Sequence, residues 1–319
     1  MRAIIFRQAG PLTEVLQLEE TNIKAPGDSE VQITIMARPI NPSDEMFVQG
    51  VYRQKPSFPQ IAGLEGAGII TDCGKNVNLS LLGKRAAFRA AGAWAEKINI
   101  SLSACRLVPD DLPFETACQL SLNALTAYAL LDSSKVGKDQ WLVLTAANSS
   151  VSQLVVQMAV QKGVRVIGIV RNDSQKDKLT ALGASLVVNM SQEDIIQVIR
   201  ARVTEGVNAV FDAVGGDLGS KLFKIAASHC TVIIYGRLSN DPVSFYNGDV
   251  IYKNMLIQGF GIDAWLQSKT QEEIDALWNQ IIGMWEEGVF KTSFDRIFRL
   301  TDFRSAIVEY KDSGQRILL

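Results

Sequence analysis

Between Trp141 and Val170 the chain passes through an apolar strand (Trp141–Thr145), a turn of small residues (Ala146–Ser152), an apolar helix (Val151–Lys162) and a second apolar strand (Val164–Val170). That order is a βαβ unit, and it commits this part of the chain to a parallel sheet flanked by helices. Further strand patterns at Leu186–Asn189, Ala209–Asp212 and Thr231–Tyr235 continue the alternation, with Gly215 and Gly216 turning the chain after the fourth strand. The expectation is a doubly wound α/β sheet.

The first part of the chain has a different rhythm. Short strand patterns at Arg2–Phe6, Val15–Glu20, Glu30–Arg38, Gly66–Cys73, Arg85–Phe88 and Ala95–Ile100 are separated by Gly, Pro, Asn and Asp. They predict a partly closed, barrel-like β domain. A helix is expected over Phe114–Leu131, directly after Pro113, where the period changes. At 319 residues the chain exceeds one ordinary hydrophobic core, so two domains are expected. Their expected bounds are 1–120, with 262–319 returning to it, and 121–261.

Charged residues make up 21% of the chain, hydrophobic ones 47%, and the net charge is −2 with Lys and Arg scattered. Neither a nucleic-acid footprint nor a disordered tail fits that balance. The apolar start Met1–Phe6 gives way to Arg7, too short for a signal or transit segment, and no run is long enough to span a membrane, so a cytoplasmic protein is expected. Cys73, Cys105, Cys118 and Cys230 are far apart without a CxxC, and the single histidine, His229, sits beside Cys230 in a stretch read as buried. These are expected to be reduced core cysteines, not metal ligands.

The densest chemistry lies in Asn41–Gly68, NPSDEMFVQGVYRQKPSFPQIAGLEGAG. Pro42 fixes its own φ and biases Asn41 away from helix, Ser43 and Asp44 are natural N-caps for a short helical turn, and Gly50 is suited to end it. Tyr52 follows in a loop, where a phenol can reach a cleft. The Asn41-Pro-Ser-Asp44 run, Gly50-Val-Tyr52 and Gly63-Leu-Glu-Gly-Ala-Gly68 resemble the zinc-free medium-chain dehydrogenase/reductases, nearest to 2-enoyl thioester reductases and their quinone-reductase relatives. The resemblance runs from the first strand to Gly314–Leu319, similar to the family's closing strand. It implies a GroES-like, partly open β-barrel catalytic domain beside a Rossmann domain. It also implies that Tyr52 is catalytic, with Asn41 a second polar contact near the nicotinamide. Zinc enzymes of the superfamily carry Gly-His-Glu where this chain has Gly63-Leu64-Glu65, so no zinc is expected.

A dinucleotide fold seats the pyrophosphate over the turn after the first strand, on backbone N–H groups and the positive helix end. In the enoyl reductases this turn reads Asn-Ser-Gly-Val-Gly; here it is Asn148-Ser149-Ser150-Val151-Ser152, with a Cβ at both glycine positions. Serine is small and its hydroxyl can bond a phosphate, so adjusted or weakened binding is expected. At the end of the second strand stands Arg171, followed by Asn172 with Ser174 and Lys176 nearby, a set suited to a 2′-phosphate and therefore to NADPH. The resemblance further places Thr126 near the nicotinamide, Tyr235-Gly236-Arg237-Leu238 on the cofactor's far side, and Trp265 in the substrate pocket. It pairs the strand Met255–Gly261 across a two-fold axis in a homodimer. Three functions follow: an NADPH-dependent reductase of 2-enoyl thioesters or similar α,β-unsaturated carbonyls, an NADPH:quinone reductase, and a non-enzymatic NADPH-binding sensor.

Overall fold

The computed structural model describes residues 1–291, 294–313 and 316–319. The chain divides into two compact units, Met1–Leu122 with Thr292–Leu319, and Asn123–Lys291.

The first unit begins with β1 (Arg2–Phe6), β2 (Gln17–Glu20), β3 (Glu30–Ala37), β4 (Gln60–Ile61), β5 (Glu65–Cys73), β6 (Arg85–Arg89), β7 (Lys97–Ser101) and β8 (Cys105–Leu107). Five of these form an antiparallel sheet in the order β7-β3-β5-β6-β8, and three form a second in the order β2-β1-β4. Register shifts between Gln32 and Ile33 and between Ile35 and Ala37 bend β3 against β5, which curls the larger sheet into a partly open barrel. The Gly63–Gly68 run is forced by this packing. A Cβ on Gly68 would lie 2.0 Å from Thr34 O, and Gly63 has φ +86° with its Cβ position 2.2 Å from the Trp94 ring. Trp94 is fully buried with Ile4, Phe6, Phe47 and Phe303 and donates from Nε1 to Pro39 O at 3.1 Å.

The second unit carries β9 (Trp141–Leu144), β10 (Arg165–Val170), β11 (Leu186–Asn189), β12 (Val207–Asp212), β13 (Ala226–Ile234) and β14 (Leu256–Gly259). All pairings are parallel and the order is β11-β10-β9-β12-β13-β14. In order of succession along this unit that is 3-2-1-4-5-6, the doubly wound dinucleotide arrangement, whose strand order reverses at β9 and β12. Val143, Ile167, Ile169, Val210 and Val232 form its apolar core. The chain then re-enters the first unit, where β15 (Arg296–Ile297) pairs with β16 (Ile317–Leu318), and Leu319 N donates to Arg38 O at 2.8 Å. Gly314 and Gln315 of the expected closing strand lie outside the described residues.

Several expectations are corrected. Leu12–Val15 is a helical turn, and the strand starts only at Gln17. The helix expected over Phe114–Leu131 is broken into Phe114–Ala117, a π turn at Leu120–Ala124 and the helix Leu125–Ser134. His229 is exposed, with φ +61°, because the chain turns outward there before Cys230 returns to the core. Cys73 is only partly buried. Residues 262–291 belong to the second unit: Ile262, Leu277, Trp278, Ile281 and Met284 are buried, and Lys291 N donates to Gln157 Oε1 at 2.6 Å.

Candidate functional site

In the first unit, the helix Pro42–Val48 is capped by Asn41, not by Ser43 or Asp44, with Pro42 at the first helical position. Asp44 reaches back so that its Oδ2 accepts from Asn41 N at 2.8 Å, the return half of a capping box. The helix ends as expected at Gly50, φ +70°, whose N donates to Phe47 O at 3.0 Å. Val51 and Tyr52 both donate from N to Met46 O at 3.0 Å, so the backbone of Tyr52 is fastened to the helix end. The half-buried ring packs on the apolar cluster holding Phe47 and Trp94.

Beneath this helix lies a polar network that sequence reasoning missed. Asn41 Nδ2 donates to Glu65 Oε1 at 2.7 Å, and Ser121 Oγ, which donates to Phe88 O at 2.9 Å, lies 3.4 Å from Glu65 Oε2. Asn41, Asp44, Glu65 and Ser121 are all buried. The only trace in the sequence is the Gly63-Leu-Glu65 run, where an apolar neighbour accompanies the carboxylate. Burial pushes the Asp44 carboxyl up to about 7 against backbone N–H bonds that favour its charge, and pushes Glu65 up to about 8, aided by the nearby Asp44.

Both carboxyls bind protons more tightly in the folded chain than in the unfolded one, where carboxyls titrate near pH ~4. Their stabilising contribution is therefore present at low pH and is lost as pH rises towards the folded values of about 7 and about 8. We expect urea-unfolding free energy to decline between pH 5 and 8, and Glu65→Gln to remove about 1 kcal/mol per pH unit of that slope. Equal slopes for both proteins would contradict this assignment.

In the second unit, the turn after β9 leads into the twelve-residue helix Ser150–Gln161. Ala146 holds φ +44°, an unusual value outside glycine, and Ser149 caps the helix by accepting from Ser152 N at 3.2 Å. Among the described residues no acceptor meets the backbone N–H groups of Asn148, Ser150 and Val151. Next to this turn, Asp212 is buried and accepts from Thr145 Oγ1 at 2.8 Å, Val214 N at 2.9 Å and Gly215 N at 3.1 Å. That fixes the loop after β12. The loop after β13 rests on it: Tyr235 N donates to Asp212 O at 2.9 Å, and a Cβ on Gly236 would lie 2.6 Å from Ala213 O. Arg237 and Leu238 are exposed.

At the end of β10, Arg171 is exposed and its guanidinium meets no partner among the described residues. Lys176, by contrast, is held by Glu193 at 2.8 Å and Asp173 at 3.0 Å, and Asn172 Oδ1 accepts from Ser174 Oγ at 2.6 Å. Of the expected cationic pair only Arg171 is uncommitted. A dinucleotide diphosphate suits the open N–H groups of the turn, and a 2′-phosphate suits Arg171. Thr126 is buried in the helix that follows the π turn, and Trp265 is partly buried with Lys269 Nζ 5.0 Å from its ring centre.

Two sequence families match: the alcohol dehydrogenase GroES-like domain over residues 27–114 and the zinc-binding dehydrogenase family over 150–279. The mitochondrial enoyl-[acyl-carrier-protein] reductase of Xenopus tropicalis is 30% identical over 286 residues, covering 85% of this chain and 80% of that protein. The chain belongs to the medium-chain dehydrogenase/reductase superfamily. The corresponding reductase of Dictyostelium discoideum is 26% identical across 98% of this chain and 92% of its own length. Among solved structures, a Bacillus thuringiensis protein with the provisional assignment NADPH:quinone reductase superposes with a TM-score of 0.92 at 25% identity, covering 100% and 98% of the two chains. The Escherichia coli quinone oxidoreductase, solved with NADPH, shares the fold with a TM-score of 0.90 at 24% identity over the full length of both. Although one matching family is named for zinc, the described residues of this medium-chain reductase contain no cluster of three or more His, Cys, Asp or Glu side chains placed to hold a metal.

Proposed function

We propose that the chain is an NADPH-dependent reductase of a carbon–carbon double bond conjugated to a thioester or ketone, acting without zinc. The observation that carries the reading is the seat of Tyr52, a phenol fastened by its backbone to a capped helix whose cap is pinned to a buried carboxyl network. The enoyl reductases similar over most of their length support the substrate class. When bound, NADPH supplies a hydride to the β carbon. Negative charge then gathers on the acceptor's carbonyl oxygen, and the Tyr52 O–H donates a hydrogen bond to it or passes a proton towards the α carbon. Asn41 is the proposed second polar contact, oriented by its Nδ2 bond to Glu65. Thr126 is assigned to the nicotinamide side, Tyr235–Leu238 to the cofactor's far side and Trp265 to the acceptor's wall. Reduction of crotonyl thioester with NADPH deuterated at C4 should place deuterium on the β carbon, as read by mass spectrometry and NMR. Absence of label in the product would reject the reaction.

A quinone-reductase reading is favoured by the structural neighbours of that description, one of them 27% identical with a TM-score of 0.89. In that case positioning alone suffices and Tyr52 matters little. We also infer a homodimer through β14, the sheet edge, where Leu256 and the preceding Ile251 and Tyr252 are more than half exposed. Light scattering should give twice the chain mass, and Leu256→Arg should shift it towards the monomer; a monomeric unaltered protein would reject this. Among the described residues no helix is long and apolar enough to cross a membrane. The curated relatives are named mitochondrial, so the cytoplasmic placement rests on the sequence reading alone.

A further inference from the structure

Ser152 stands at the second glycine position of the phosphate turn, and its hydroxyl does not face out. The residue is fully buried, and its Oγ lies 3.1 Å from Tyr235 Oη. Ser152 N donates to Ser149 Oγ at 3.2 Å, and Ser149 Oγ donates to Ser152 Oγ at 3.0 Å. Each hydroxyl has one proton to give. Ser152 Oγ, already accepting from Ser149, has two acceptors within reach: Thr145 O at 3.4 Å and Tyr235 Oη at 3.1 Å. Either oxygen can donate in the Ser152–Tyr235 contact; when Ser152 gives its proton to the phenol, every donor in the row points the same way, from the helix amide through Ser149 and Ser152 to Tyr235. In that arrangement the phenolic O–H is the terminal donor of a hydrogen-bonded chain rooted in the positive end of the helix, where successive bonds polarise one another.

We propose that Ser152 is a positioning residue that holds Tyr235 as a hydroxyl donor to the diphosphate of the bound dinucleotide, replacing the close backbone approach that a glycine would permit. The phenol has little slack, because its own N is bonded to Asp212 O and Gly236 packs directly on Ala213. The inference rests on the dinucleotide-dependent reading above but concerns the diphosphate, which NADPH and NADH share. It explains how a chain with a Cβ at both glycine positions retains a diphosphate seat.

The test is fluorescence titration of the full chain with NADPH, NADH and adenosine 2′-phosphate, which lacks the diphosphate, for Ser152→Ala, Tyr235→Phe and the double variant. Each single change should weaken both dinucleotides about three- to tenfold, the double variant should be no weaker than Tyr235→Phe, and adenosine 2′-phosphate should be unaffected. Additive losses, equal weakening of adenosine 2′-phosphate, or tighter binding by Ser152→Gly would overturn the proposal. Should Ser152→Ala not fold, Tyr235→Phe removes a single oxygen and decides alone: unchanged dinucleotide affinity overturns the proposal. Coupled losses in a protein inactive on enoyl thioester would sink the substrate reading and leave this inference standing. Wild-type protein that binds neither dinucleotide overturns both.

Discussion

Tyr52→Phe is expected to lower turnover of an enoyl thioester by about two orders of magnitude, the usual scale for losing a positioned proton or hydrogen-bond donor at a developing oxyanion. The change removes one oxygen and keeps the ring that packs against the Phe47 and Trp94 cluster. NADPH affinity should hold, because the residues assigned to the cofactor, from Thr126 to Leu238, all belong to the second unit. Steady-state kinetics and a fluorescence titration on the same preparation separate the two effects. A fall in kcat with an unchanged dissociation constant is the expected pattern; unaltered turnover would remove Tyr52 from the chemistry.

Arg171→Ala is expected to weaken NADPH about 10- to 100-fold while changing NADH little. A charge-assisted hydrogen bond contributes ~1.5–3 kcal/mol, and the guanidinium is exposed at the end of β10 with no partner to give up among the described residues. Lys176 is a poor substitute because Glu193 and Asp173 already hold it. The ratio of the two dissociation constants is the readout. Equal losses for both cofactors would mean that Arg171 supports the fold of the loop and does not read the 2′-phosphate.

The parallel sheet was legible because its strands are continuous apolar runs set apart by helical periods, a local signal. β9, β10, β11 and β12 fall within two residues of their expected bounds. The capped helix before Tyr52 was also legible, although the cap proved to be Asn41, since Pro42 at the first helical position moves the start forward. What was hidden depends on partners far away in sequence. Glu65 reads as one acid in a strand until Asn41 and Ser121 close on it from 24 and 56 residues away. Ser152 reads as a phosphate-facing hydroxyl until Tyr235, 83 residues on, takes it inward. The break at Leu120–Ala124 is invisible for the same reason: Ser121 bonds Phe88 O and faces Glu65, contacts that no helical periodicity encodes. Residues 262–291 were expected with the first domain, but the burial of Leu277, Ile281 and Met284 goes with their place in the second unit.

The most direct measurement is NADPH oxidation in the presence of crotonyl thioester and, separately, of a benzoquinone, at matched protein and cofactor concentrations with NADH in parallel. Rapid turnover of the thioester with NADPH, well above that with NADH or with the quinone, is the expected result. Activity on the quinone alone, or none with either acceptor, would contradict an enoyl reductase built around Tyr52.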